Sequence, residues 1–149
     1  MVLSMNHIMM QKTTMKTNDN LQQEGGNHYE RLKVEPVKVF VAFNFNYFQA
    51  SILKYISRFP WKNGEQDLNK AIHIASMAVD LKVGSNKKRK VLFTQLVNKR
   101  KPLNDLANDY INQFDDYKEY MSILFIGLVE ENYSFVKETV EKLKKKFYG

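Results

Sequence analysis

The sequence predicts a mainly α protein, a compact helical domain with a C-terminal helical extension. Three observations carry this. Apolar residues recur in steps of three and four along several segments, the spacing of a buried helical face. Proline and glycine punctuate the chain where those faces begin or stop. At 149 residues the chain is long enough to hold a core without staples, and it has no cysteine for a disulfide or a thiolate metal site.

Residues 1–24 are polar and rich in Thr, Asn and Gln, without sustained periodicity, and read as a flexible N-terminal segment. Gly25-Gly26 marks a turn, and the helical domain is expected over residues 25–84. Pro36 suits the first turn of a helix, where its missing N–H costs nothing. Val37, Phe40, Val41 and Phe43 then form a helical face, although Val39–Phe45 would also serve as a buried strand. Phe48–Phe59 is a clearer helix, with Phe48, Ile52, Tyr55, Ile56 and Phe59 on one stripe, ended by Pro60.

Asn63 is placed to cap the next helix, with Gln66 as its capping-box partner. Leu68, Ile72, Ala75 and Val79 give that helix its stripe, with Ala71 and Ala78 beside it, and Gly84-Ser85-Asn86 closes it. Residues 85–102 form a basic linker containing Lys87–Lys90 and Lys99–Lys101. The helical extension covers residues 103–149. Leu106, Tyr110, Phe114, Tyr117, Met121, Leu124 and Leu128 recur along it, and a last amphipathic helix carries Val136, Val140, Leu143 and Phe147.

The net charge of +7 is uneven: residues 84–102 hold seven Lys or Arg and no acid, whereas residues 103–149 are net acidic. Basicity so localised argues against nucleic-acid binding by the whole protein and leaves the linker as a possible nucleic-acid contact or a solvated connector. No stretch approaches the ~20 apolar residues that span a bilayer, and no signal peptide is evident. A cytoplasmic protein without a membrane partner is expected. Wide apolar faces on short helices also point to a homo-oligomer.

The chemistry concentrates around Pro60. Lys54 and Arg58 are four residues apart and share a helix face; Lys62 lies in the turn beyond; Asp67 and Lys70 stand near the start of the following helix. If the two helices pack antiparallel, these cations meet at the turn, beside a helix N-terminus whose free N–H groups favour phosphate. Asn63 and Gly64 add polar backbone access. Arg58 suits bidentate phosphate contact, and each Lys acts as a point charge.

The ordered blocks NHY, EP, KYI-x-R and K-N-G-x-x-D-L-x-K-A resemble a phage-encoded nucleotide kinase-like family, relatives of a deoxynucleoside-monophosphate kinase that lacks a P-loop. The resemblance runs from about Gly25 to Val83 and carries over His28, Tyr29, Pro36, Lys54, Tyr55, Arg58, Lys62, Gly64, Asp67, Leu68, Lys70 and Ala71. It implies a nucleotide ligand, a nucleoside triphosphate as phosphoryl donor, and a host-cell cytoplasmic setting. The chain departs from the family at Ala50–Leu53, where members carry a Gly-Asn-Ala entry, so a Cβ stands where backbone could approach a ligand. It also has His73-Ile74 where many members have Tyr-Leu.

In a phosphoryl-transfer reading His28 relays a proton or orients a group, and Asp67 holds Mg²⁺ or orients the attacking oxygen. Otherwise His28 is a loop residue bonded to backbone, and Asp67 an acid favoured by the helix dipole. Tyr29 and Trp61 are candidates to stack on a base, whereas Tyr55 lies on the apolar stripe and reads as core. No Walker loop, zinc-ligand cluster or EExxE helix occurs. Two function classes follow: a kinase-like enzyme, or a module that binds and sequesters nucleotides without turnover, as a phage protein would to blunt host defence. A third is an interaction protein acting through the basic linker and helical tail.

Overall fold

The computed structural model describes residues 32–84 and 101–149. His28, Tyr29, the segment 1–24 and nearly all of the basic linker lie outside the described residues. Six α-helices make up the described residues, with no strand among them: α1 (Pro36–Ala42), α2 (Tyr47–Arg58), α3 (Glu65–Asp80), α4 (Lys101–Asn112), α5 (Lys118–Val129) and α6 (Tyr133–Tyr148). Short 3₁₀ turns at Phe59–Trp61 and Asp115–Tyr117 join α2 to α3 and α4 to α5.

Val39–Phe45 resolves as helix and turn: Pro36 opens α1, and Asn44 leaves it in a left-handed conformation at φ 53°. The helix of the expected Phe48–Phe59 stripe is α2, with Ile52, Ile56 and Phe59 fully buried and Phe48 and Tyr55 partly so. Its start is a capping box. Asn46 Oδ1 accepts from Gln49 N at 3.0 Å, and Gln49 Oε1 accepts from Asn46 N at 2.8 Å. The box expected at Asn63 and Gln66 does not form: the N-cap of α3 is Gly64, which has no side chain to cap it.

The buried face of α3 is Leu68, Ala71, Ile74, Ala75 and Ala78, while Val79 is exposed. The stripe is rotated from the expected one because small alanines, rather than the larger Val79 and Ile72, mark where a neighbouring helix approaches most closely. That neighbour is α6, which presents Val136, Val140 and Leu143, all fully buried. The helix α3 also ends earlier than Gly84, at Asp80, with Lys82 left-handed at φ 56°.

Helices α3 and α6 run antiparallel. At one end Gly64 meets Tyr148; at the other Gly84 meets Glu131. The extension therefore lies along the motif helices, and one hydrophobic cluster draws on both. Phe59 from the motif packs on Tyr117 (ring centroids 5.1 Å apart) and Phe147 (5.3 Å) from the extension. Backbone and side-chain bonds reinforce the join. Tyr117 donates to Ile56 O at 2.9 Å, and the Ser57 hydroxyl pairs with that of Tyr110. Burial, then Tyr110 and Asp116, hold the Tyr117 phenol above its ordinary titration range. Gln113 clasps Val34 through both its N–H and its carbonyl, at 3.1 and 2.8 Å.

Candidate functional site

The turn at Phe59–Trp61 folds α3 back against α2 and so brings together the charged residues of both. Pro60 sits inside this 3₁₀ turn. Gly64 completes the reversal at φ 54°, ψ −128°, a conformation open to glycine and strained for any residue with a Cβ. This is the physical reason for a glycine at that place in the motif.

Tyr55 lies at the centre of the site, partly buried on the helix face between core and solvent. Three cations surround its ring. Lys54 Nζ and Arg58 Cζ each lie 4.9 Å from the ring centroid, and Lys70 Nζ lies at 5.5 Å. Tyr55, expected in the core, is only partly buried against it, and its ring also gathers charge. Lys54 titrates below the ordinary lysine range. Burial is the leading cause, followed by repulsion from Arg58, Lys62 and Lys70, with Asp67 opposing. The four cations expected at the turn therefore act on one another within one patch.

Arg58 is held from behind. Its guanidinium faces the Asp67 carboxylate in a fork, Nε to Oδ2 at 3.3 Å and Nη2 to Oδ1 at 3.4 Å. Asp67 is fully buried and Arg58 is 9% exposed. The Asn63 amide stands 3.5 Å from Asp67 Oδ1, and so serves this pair instead of capping α3. Asp67 thus orients the arginine against Tyr55. Its oxygens face cation and amide donors, an environment that does not suit a Mg²⁺ ligand. Among the described residues no group of three or more His, Asp or Glu is arranged to hold a metal.

The N-terminus of α3 offers phosphate less than the sequence suggests. Gln66 N donates to Asn63 O at 3.1 Å and Asp67 N to Gly64 O at 3.0 Å, so two first-turn N–H groups are already used. Glu65 and Asp67 add negative charge there. The anion-attracting side of the turn is the cationic face around Tyr55. Lys62 and Asn63 are exposed beside it, and Trp61 is partly buried against the core within the turn.

Two residues near the turn escape sequence reasoning. Tyr148, in the last turn of α6, places its hydroxyl 3.2 Å from where a Cβ on Gly64 would stand. Lys144, one turn earlier, pairs with Glu65 at 3.7 Å. No local signal marks either one, because each meets the motif through the antiparallel packing of α3 and α6.

None of the described helices is long and apolar enough to cross a membrane. No curated protein and no solved structure matches the chain. Residues 23–75, just over a third of it, match a family described as a protein of unknown function (DUF3310); the match takes in α1, α2, the turn and most of α3.

Proposed function

We propose that this protein binds phosphorylated nucleosides on the cationic face around Tyr55. Lys54, Lys62 and Lys70 neutralise the phosphates as point charges, and Arg58, whose fork is held by Asp67, adds its charge from behind. The observation that carries this reading is the gathering of Lys54, Arg58 and Lys70 around one ring, at 4.9, 4.9 and 5.5 Å from the Tyr55 centroid. Lys54 is disfavoured in its charged form by burial and by three neighbouring cations, while the nearby carboxylate, Asp67, is engaged by Arg58. The Tyr55 ring offsets part of this repulsion, and a polyanion relieves the rest. The resemblance to the phage nucleotide kinase-like family points to the same ligand class.

Binding without turnover accounts for these residues without a metal, and is the form of the proposal we favour. On this reading the protein sequesters a nucleotide. Phosphoryl transfer from a nucleoside triphosphate to a monophosphate is the second reading, favoured by the family resemblance; His28 would then act in proton transfer.

Calorimetry with ribo- and deoxyribonucleoside mono-, di- and triphosphates, with Mg²⁺ and with chelator, tests both. Micromolar or tighter binding that survives chelator, with ligand recovered intact, supports the binding module. Mg²⁺-dependent appearance of a diphosphate from a monophosphate supports the kinase. Absence of binding to all of these ligands overturns both.

A further inference from the structure

The cationic face comes wholly from residues 54–70, yet the C-terminal helix reaches the same turn. Tyr148 packs edge-on against Phe59, with ring centroids 6.3 Å apart, while 42% of the residue remains exposed. Its hydroxyl lies over Gly64, where the missing side chain leaves room for it. Other tyrosines of the core use their hydroxyls internally: Tyr117 bonds Ile56 O, and Tyr110 pairs with Ser57. No described residue bonds the Tyr148 hydroxyl. A ring anchored at one edge, with part of its surface exposed beside the Gly64 turn and the charged patch, is suited to contact a ligand.

The charges near Tyr148 say which part of a ligand. Burial, then Glu65 and Asp67, push its phenol up, so it remains a protonated donor at neutral pH. Both carboxylates are matched, Glu65 by Lys144 and Asp67 by Arg58, so this spot lacks the crowded positive charge of the Tyr55 face that would draw a phosphate. A sugar hydroxyl or a base edge, uncharged and able to accept a hydrogen bond, suits it. Lys144 ties the helix to the turn through Glu65, four residues before Tyr148 and so on the same face. Trp61 stands in the turn itself.

We propose that the C-terminal helix supplies the nucleoside end of the ligand site, with Tyr148 contacting the sugar or base of a nucleotide whose phosphates rest on Lys54, Arg58 and Lys70. This rests on the nucleotide-binding reading above and adds to it a division of the site into a phosphate end and a nucleoside end.

The test compares full-length wild type, Tyr148→Phe, Tyr148→Ala and Lys70→Met in binding the preferred nucleotide and inorganic pyrophosphate. Thermal melts check that each variant is folded. The expected result is a tenfold or greater loss of nucleotide affinity in Tyr148→Ala, a smaller loss in Tyr148→Phe, and pyrophosphate binding within twofold of wild type in both. Lys70→Met should weaken both ligands. Equal loss of both ligands in the Tyr148 variants, or loss of neither, overturns the assignment. Wild type that binds pyrophosphate as tightly as any nucleotide overturns it while sparing the anion site, and wild type that binds neither overturns the nucleotide reading as well.

Discussion

The two ends of the α3–α6 pair share a design and differ in how their charges are matched. Each end turns on a glycine with positive φ, Gly64 at 54° and Gly84 at 70°, and each brings an acidic side chain near it. At the Gly84 end the polar groups interlock. Glu131 is 4% exposed and accepts from Asn46 Nδ2 at 2.9 Å; Asn46 exchanges bonds with Gln49; Gln49 Nε2 donates to Leu128 O at 2.8 Å. The amide donors of Asn46 and Gln49 meet acceptors there, as a structural join requires. At the Gly64 end a single buried ion pair sits beneath a cluster of mutually repelling lysines. The first end is joined by a side-chain network that runs from Glu131 to α2, and the second gathers cations on one partly exposed face.

The comparison can be broken at its strongest point by Arg58→Met. This strands the fully buried Asp67 carboxylate, and removing one partner of a buried pair costs about 3–5 kcal/mol. Urea unfolding should show the loss, and Asp67→Asn on the same background should recover part of it. Loss in the single variant within error of zero would mean that the pair is solvated and does not position the arginine.

Gly84→Ala probes the other end. A Cβ there runs into the Glu131 side chain, on a backbone that already favours glycine. A destabilisation of roughly 2–4 kcal/mol is expected, with nucleotide affinity unchanged after allowance for folding. A change in affinity would show that the two ends are coupled.

Lys54→Met should separate stability from binding. The folded protein holds Lys54 below its ordinary titration range, so the unfolded chain binds more protons between the lowered value and the unfolded one. Stability contributed through this group therefore rises with pH across that window, and at neutral pH the charged lysine opposes folding. The variant should melt higher than wild type in the absence of ligand and bind nucleotide roughly tenfold more weakly. A lower melting temperature would indicate that Lys54 is not strained. Wild type should also take up protons on binding nucleotide at alkaline pH, because the anion favours the charged lysine.

Glu65→Gln removes the partially exposed pair with Lys144, and surface pairs of this kind contribute at most about 1 kcal/mol. The expected change in stability is correspondingly small. A loss of several degrees in melting temperature would assign the Lys144 contact a larger part in holding α6 against the turn than we give it.

The class of fold and most of the core are legible in the sequence, since apolar spacing decides which side of a helix leaves water. Ile52, Ile56, Leu68, Tyr110, Met121, Leu124, Val136 and Leu143 are all buried where periodicity places them. The cations were legible too, because a four-residue separation and a proline turn suffice to aim Lys54, Arg58, Lys62 and Lys70 at one another. Local competition was not. Asn46 and Gln49 carry the same capping signature as Asn63 and Gln66, and only the first pair forms the box. The Gly64 reversal turns the Asn63 side chain toward Asp67 instead.

What the sequence determines by itself is thus the helical class and the gathering of cations beside Pro60, both governed by neighbours within a few turns; the apolar run from Leu106 to Leu128, continuous in sequence, is divided in the structure by the turn at Asp115–Tyr117. The tertiary structure decides the rest. It withdraws Asp67 from solvent and pairs it with Arg58, rotates α3 so that its alanines receive α6, and sets Tyr148 over Gly64 from 84 residues away. Such contacts depend on which faces meet and how closely, and close approach is set by the volumes of side chains on both partners, which no single segment contains.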